Sequence, residues 1–155
     1  MADAASISIT ATMLPDEIAK TFTGSMTVTP VANELWYYKL TSITVTSTNL
    51  IAGSYVNYTA IAVGTGHTPV ATGDTIRFLF VQNTGSVEGI YLSFDGAAAV
   101  HSGVDNVFIG PGETWFGRLP NTTVGNLKAI SSLIGGTGSD PVAAIVIALI
   151  DDDSA

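Results

Sequence analysis

From Ile7 to Met13 and from Phe22 to Val28, apolar and hydroxyl residues alternate with almost no interruption. Ile7, Ile9, Ala11 and Met13 fall on one side, with Ser8, Thr10 and Thr12 on the other. Phe22, Met26 and Val28 likewise oppose Thr21, Thr23, Ser25, Thr27 and Thr29. A period of two puts every second side chain on the same sheet face, so these are strands. Their polar face carries short hydroxyls instead of charges. Such a surface is neutral and low in side-chain entropy, suited to packing against protein and poorly suited to proton chemistry.

The rest of the composition agrees. Charged residues are 12% of the 155, about half the usual share, while hydrophobic residues reach 46%. Sixteen glycines beside few lysines and glutamates favour turns between short strands over helices. Surface charge normally keeps a soluble monomer apart from its neighbours, so a set this sparse implies that partners cover part of the surface. Thirteen acids against five bases give a formal net charge of −8. Lys20, Lys39, Arg77, Arg118 and Lys128 are dispersed, whereas phosphate neutralisation needs clustered cations. Nucleic-acid binding is therefore not expected. The absence of cysteine removes disulfide and thiolate chemistry. No secretory leader is expected ahead of Lys20, and the longest apolar run, Val142 to Ile150, is half the length of a membrane helix.

Along the chain, Leu14 to Lys20 interrupts the alternation, and Pro15 followed by acids suits a single helical turn. In Leu35 to Ser47, Trp36, Tyr38 and Leu40 share one parity while Ile43 and Val45 take the other. A bulge or a strand break between 40 and 43 would produce that. A further strand is expected around Tyr55, Tyr58 and Ile61, and a turn-rich loop over 64–74 between sheet regions. Residues 75–85 and Val142 to Ile150 are apolar on both faces, as in strands with both sides covered. Between them, Glu88 to Gly96 alternates with Ile90, Leu92 and Phe94 inward, Asn106 to Ile109 is short, and Glu113 to Leu119 follows the Gly110-Pro111-Gly112 turn. Pro120 to Gly125 reads as loop and Leu127 to Ser132 as strand. Short strands at such spacing spell one all-β domain over residues 1–155: an antiparallel β-sandwich, jelly-roll-like, with an N-terminal strand or arm over 1–20. The two-faced apolar last strand predicts a homo-oligomer.

Candidate chemistry is thin. His67 lies in the glycine-rich loop, and His101 adjoins Ser102 with Asp105 near, but sequence neighbours on a strand point to opposite faces. Two isolated histidines give no zinc spacing, and Asp151-Asp152-Asp153 reads as a solvated tail. Glu88, Asp95 and Glu113 could in principle pair for glycoside hydrolysis, yet they sit where turns want polar residues. Gly64-Thr65-Gly66 lacks the lysine and helix of a phosphate loop. No catalytic, cofactor-binding or metal-ligating residue is assigned, and no enzyme activity is expected.

The C-terminal half contains FVQNTGSVEGIYLSFDG (80–96), FIGPGETWFGRLP (108–120), NLKAISS (126–132) and VAAIVIALI (142–150). In these segments it resembles small virion proteins of tailed bacteriophages. The resemblance implies a capsid decoration, or cement, protein on the outer capsid surface, bridging capsomers of the major capsid protein as a homo-oligomer, a trimer by the same likeness. It carries no catalytic residues; no cofactor is expected, and the dispersed cations and short apolar runs argue against nucleic-acid and membrane partners. The alternative is a carbohydrate- or receptor-binding virion module (head fibre, tail tip or knob) using Trp36, Tyr38 or Trp115 as stacking platforms.

Overall fold

A computed structural model describes residues 4–13, 20–56, 69–101, 106–132 and 141–152. The chain divides into two compact units, Met1–Ala32 and Asn33–Ala155. The first unit is a two-stranded antiparallel ribbon of β1 (Ala5–Met13) and β2 (Lys20–Val28), in unbroken register from Ala5 opposite Val28 to Met13 opposite Lys20. Both alternating segments are strands, and the N-terminal unit extends beyond the arm expected over 1–20. The expected helical turn falls on residues 14–19, outside the described residues.

The second unit contains β3 (Glu34–Ile43), β4 (Thr48–Asn49), β5 (Thr75–Asn83), β6 (Ile90–Ser93), β7 (Val107–Ile109), β8 (Thr114–Thr123), β9 (Lys128–Ser131) and β10 (Val142–Asp151). A single 3-10 turn, Val124–Asn126, joins β8 to β9. Strands of the first half pair in reverse order with those of the second: β3 with β10, β4 with β9, β5 with β8, and β6 with β7. The chain thus behaves as one long hairpin. Pairing of β10 with β5 and of β9 with β6 rolls that hairpin into two four-stranded antiparallel sheets, β3-β10-β5-β8 and β4-β9-β6-β7. This is the eight-stranded jelly roll.

The two sheets enclose one core. Tyr37, Leu79, Val81, Val142, Ala144, Val146, Ala148 and Ile150 of the first sheet meet Ile90, Leu92, Ile109, Leu127 and Ala129 of the second region. Alanines at 144 and 148 leave room for the larger residues opposite, as close packing between sheets requires. Ile90 and Leu92 are fully buried and Phe94 is half-buried, as the alternation predicts.

Three expectations change. No bulge interrupts β3, whose ten residues pair with β10 in continuous register. Tyr37 and Ile43 point into the core by strict alternation, so Trp36, Tyr38 and Leu40 occupy the opposite, outer face. The two parities need no bulge, because they are the two faces of one continuous strand. Secondly, β8 runs through Pro120 to Thr123, where a loop was expected. It is a sheet edge, so the missing proline N–H need cost no ladder bond. Leu119, Pro120 and Asn121 stand opposite the single Arg77, a bulge that absorbs the proline. Thirdly, Tyr55 lies outside any strand. It is buried, and its hydroxyl donates to Asp74 Oδ2 at 2.5 Å. Tyr58, Ile61 and residues 64–68 of the 64–74 loop lie outside the described residues, while Val70 N–H closes the loop's end on Gly53 O at 2.8 Å.

Candidate interaction face

Because β3, β10, β5 and β8 are in register, their outward residues line up in rows across the sheet. Tyr38, Ile147, Phe80 and Phe116 form one row. Leu40, Ile145, Gln82 and Thr114 form the next, and Trp36, Leu149, Phe78 and Arg118 the third. The outward side of a sandwich sheet normally alternates to polar residues. Here the Tyr38 row is apolar across all four strands, and Leu40 and Ile145 extend it on β3 and β10, whereas Gln82, Thr114 and Arg118 are polar and Phe78 and Leu149 are buried. Tyr38 is 57% exposed and Leu40 62%, while Ile145, Ile147, Phe80 and Phe116 are half-buried. Within the third row the Trp36 ring stands edge-on to Phe78, with centroids 6.5 Å apart. Rows spaced ~6.8 Å and strands ~4.8 Å apart give the three rows a footprint on the order of 400 Å², of which the six exposed or half-buried apolar residues of the first two rows occupy about half.

The sequence pointed at part of this face. Continuous apolar runs marked β5 and β10 as strands covered on both sides, and they are the two central strands of the sheet. Phe116 and Leu40 gave no such signal, because each becomes part of the face only through its cross-strand neighbours. Of the three aromatic platforms weighed, Trp36 and Tyr38 lie here. Trp115 faces the other way, packed against the core and against Phe94 at 5.4 Å between centroids.

The polar residues of the candidate chemistry are occupied locally. Glu113 accepts from Gly110 N–H at 2.7 Å across its own turn, with Gly112 at φ 74°. Asp95 accepts from Ser93 Oγ at 2.7 Å and from Ala97 N–H at 2.9 Å, closing the turn in which Gly96 takes φ 85°. The Ser93 hydroxyl, then the Ala97 amide, hold the Asp95 carboxyl below the usual carboxylate range. Glu88 Oε2 accepts from Ser132 Oγ at 3.1 Å, and that hydroxyl accepts from Gly89 N–H at 2.7 Å. Each of these three acids therefore serves a turn or a strand end.

His101 joins an aromatic group on the second sheet, edge-on to Tyr91 at 5.7 Å, with Tyr91 tilted against Phe108 at 4.9 Å. Its Nε2 lies 2.8 Å from Ser131 O. His67, Ser102, Asp105 and the Gly64-Thr65-Gly66 stretch lie outside the described residues. At the end of the last strand, Arg77 is paired with Asp151 and, at 3.6 Å, with Glu34, so two of the acids in that region brace a strand end.

The pieces that carried the phage resemblance have structural work of the same kind. Asn83, in the Asn-Thr-Gly that ends β5, is fully buried. Its Nδ2 donates to Glu88 O at 2.8 Å and Ile109 O at 3.3 Å, and its Oδ1 accepts from Gly85 N–H at 2.8 Å. One side chain thereby ties the end of the first sheet to β7 of the second and to the segment that leads into β6. No family model, curated protein or solved structure matches the chain.

Proposed function

We propose that this chain is a non-enzymatic structural protein of a tailed-phage virion, a decoration protein on the outer capsid surface that bridges neighbouring capsomers. The observation that carries the proposal is the strip of Tyr38, Ile147, Phe80 and Phe116, with Leu40 and Ile145 beside it, exposed or half-buried on the outer face of β3-β10-β5-β8. Among the described residues this strip gathers no converging polar side chains, which suits a protein surface better than a small polar ligand. The jelly-roll body is a fold shared by capsid and lectin domains, support by analogy only. A net charge of −8 with dispersed cations suits an exterior position, away from packaged DNA. Bridging works by repetition: a modest contact multiplied over symmetric sites holds a shell strongly.

The receptor- or glycan-binding module is the second reading, favoured by one observation. Tyr91, Phe108 and His101 gather an exposed aromatic group on the other sheet, with Phe108 44% exposed. The two readings separate in one experiment. Purified protein added to undecorated capsids of the phage that encodes it should bind and raise their disruption temperature. Tyr38→Lys combined with Leu40→Lys should abolish that gain while leaving the body folded, because both side chains point to solvent. Failure of the wild-type protein to bind capsids, or undiminished binding by the double variant, refutes the cement assignment. Retention on a glycan array that Phe108→Ala removes would establish the second reading instead.

A further inference from the structure

β1 is paired on one side only. Its ladder runs to β2 over all nine residues, and among the described residues no other backbone hydrogen bond reaches it. In an antiparallel pair about half the residues of a strand turn their N–H and C=O groups away from the partner. The far edge of β1 is therefore a row of unpaired donors and acceptors, roughly 30 Å long at ~3.4 Å per residue. Ser6, Ser8, Ile9, Thr10 and Thr12 along it are exposed.

The body treats its own sheet edges differently. β4 and β7 are only two and three residues long. β8 carries Arg118, Pro120 and the bulge opposite Arg77. On β3, Lys39 Nζ donates to Ala52 O at 3.1 Å and Val56 N–H donates to Trp36 O at 2.8 Å, so the chain itself closes part of that edge. Short strands, charges, prolines, bulges and covering segments are the devices that keep an edge from pairing with another chain. β1 has none of them: ASISITATM contains no charge, proline or glycine, and its register is unbroken. Two strands are also too few, since independent stability takes three or more with an apolar face. The ribbon has such a face, built from Ala5/Val28, Ile7/Met26, Ile9/Gly24 and Ala11/Phe22.

We infer that the far edge of β1 accepts an extended strand of a second protein as the third strand of this sheet. The main chain supplies the hydrogen bonds. Alternate side chains of the incoming strand continue the two faces, apolar beside Ile7 and Ile9 and small and polar beside Ser8 and Thr10. A charge in that strand would lie beside isoleucines or neutral hydroxyls with no counter-charge on β1, so the strand is uncharged. The protein that offers it is neutral or basic, because this chain carries −8 and a second copy would bring the same charge to the contact. That favours a different chain over self-pairing. The edge of β1 is a surface the capsid proposal does not use, so either can fail while the other stands.

The probe is a peptide of alternating valine and threonine, as long as β1 and flanked by lysines, added to the full chain at millimolar concentration. Hydrogen exchange of the β1 amides that point away from β2 should slow about tenfold, while amides on the edges of β3 and β8 stay unchanged. The same peptide N-methylated on both edges keeps its charge and side chains but has no N–H to donate, and it should protect nothing. Ile9→Lys places a charge in mid-strand and should abolish the protection by the unmethylated peptide, with the body's thermal unfolding unchanged. Unchanged exchange in β1 overturns the inference, as does equal protection by the methylated peptide or protection that survives Ile9→Lys. So does protection already present without peptide, accompanied by sedimentation above the 16.0 kDa of one chain, because β1 would then pair with a second copy.

Discussion

Asn83→Ala is the substitution that most directly tests how the two sheets of the body are held in place. Asn83 is fully buried, and its amide makes the three bonds to Glu88 O, Ile109 O and Gly85 N–H. Truncation leaves two carbonyls and one amide without that partner, each in or beside the core. A buried polar group left unpaired costs ~1–3 kcal/mol, and water entering the space offsets part of it, so the loss should be on the order of 3–5 kcal/mol. At roughly 3 °C per kcal/mol for a chain of this size, the body should melt about 10 °C lower. The backbone bond from Asn83 N–H to Glu113 O, at 3.0 Å, does not depend on the side chain, so the fold should survive.

Asn83→Asp sharpens the test, because it keeps the shape and the acceptor toward Gly85 and changes only the donor. An ionised carboxylate oxygen would then face the carbonyls of Glu88 and Ile109. Burial and those two oxygens raise the folded-state pKa of the new carboxyl above its unfolded value of about 3.9. A raised pKa contributes stability below the unfolded value and loses it as pH rises through the folded one. The deficit of this variant relative to wild type should therefore widen between pH 4 and pH 7. Calorimetric melting of both variants across that range checks it. If Asn83→Ala melts within about 3 °C of wild type, or if the Asn83→Asp deficit does not change with pH, the inter-sheet role assigned to this amide is wrong.

Two further outcomes concern the rest of the body. Burial, then the hydrogen bond to Asp74 and the charges of Asp74, Asp152 and Asp151, push the Tyr55 phenol well above its ordinary value. Stability tied to it is complete below the unfolded value of about 10 and is lost as pH rises beyond that. Tyr55→Phe should cost about 1–2 kcal/mol at pH 7 and flatten the decline in stability above pH 10, as read by denaturant unfolding at both pH values. Gly112 and Gly96 both sit at positive φ, but a side-chain carbon at Gly112 meets nothing within 4 Å whereas one at Gly96 comes 2.8 Å from Asn126 Oδ1. Gly112→Ala should cost about 1 kcal/mol of strain, and Gly96→Ala clearly more, in parallel melting curves.

The sequence by itself determined most of the segments that become strands and where most turns fall. Period-two alternation in β1, β2 and β6, and glycine or asparagine chemistry at Asn83, Gly96 and Gly112, act within a few residues and so can be read along the chain. It also marked β5 and β10 as apolar on both faces, and on the outer one Phe78 and Leu149 are buried while Phe80, Ile145 and Ile147 are half-buried. Alternation fixes that neighbours oppose each other but not which of the two faces meets the core. That choice belongs to the sheet opposite, so only the tertiary structure turned Tyr37 inward and left Trp36, Tyr38 and Leu40 outside. The bulge that carries Pro120 within β8 likewise exists only against β5, where a single residue faces three. The rows of the candidate face are assembled from four strands that are distant in sequence, and the apolar side of the ribbon from two. Burial is a property of what lies across a face, and that is decided by long-range pairing, whereas strand formation is decided locally.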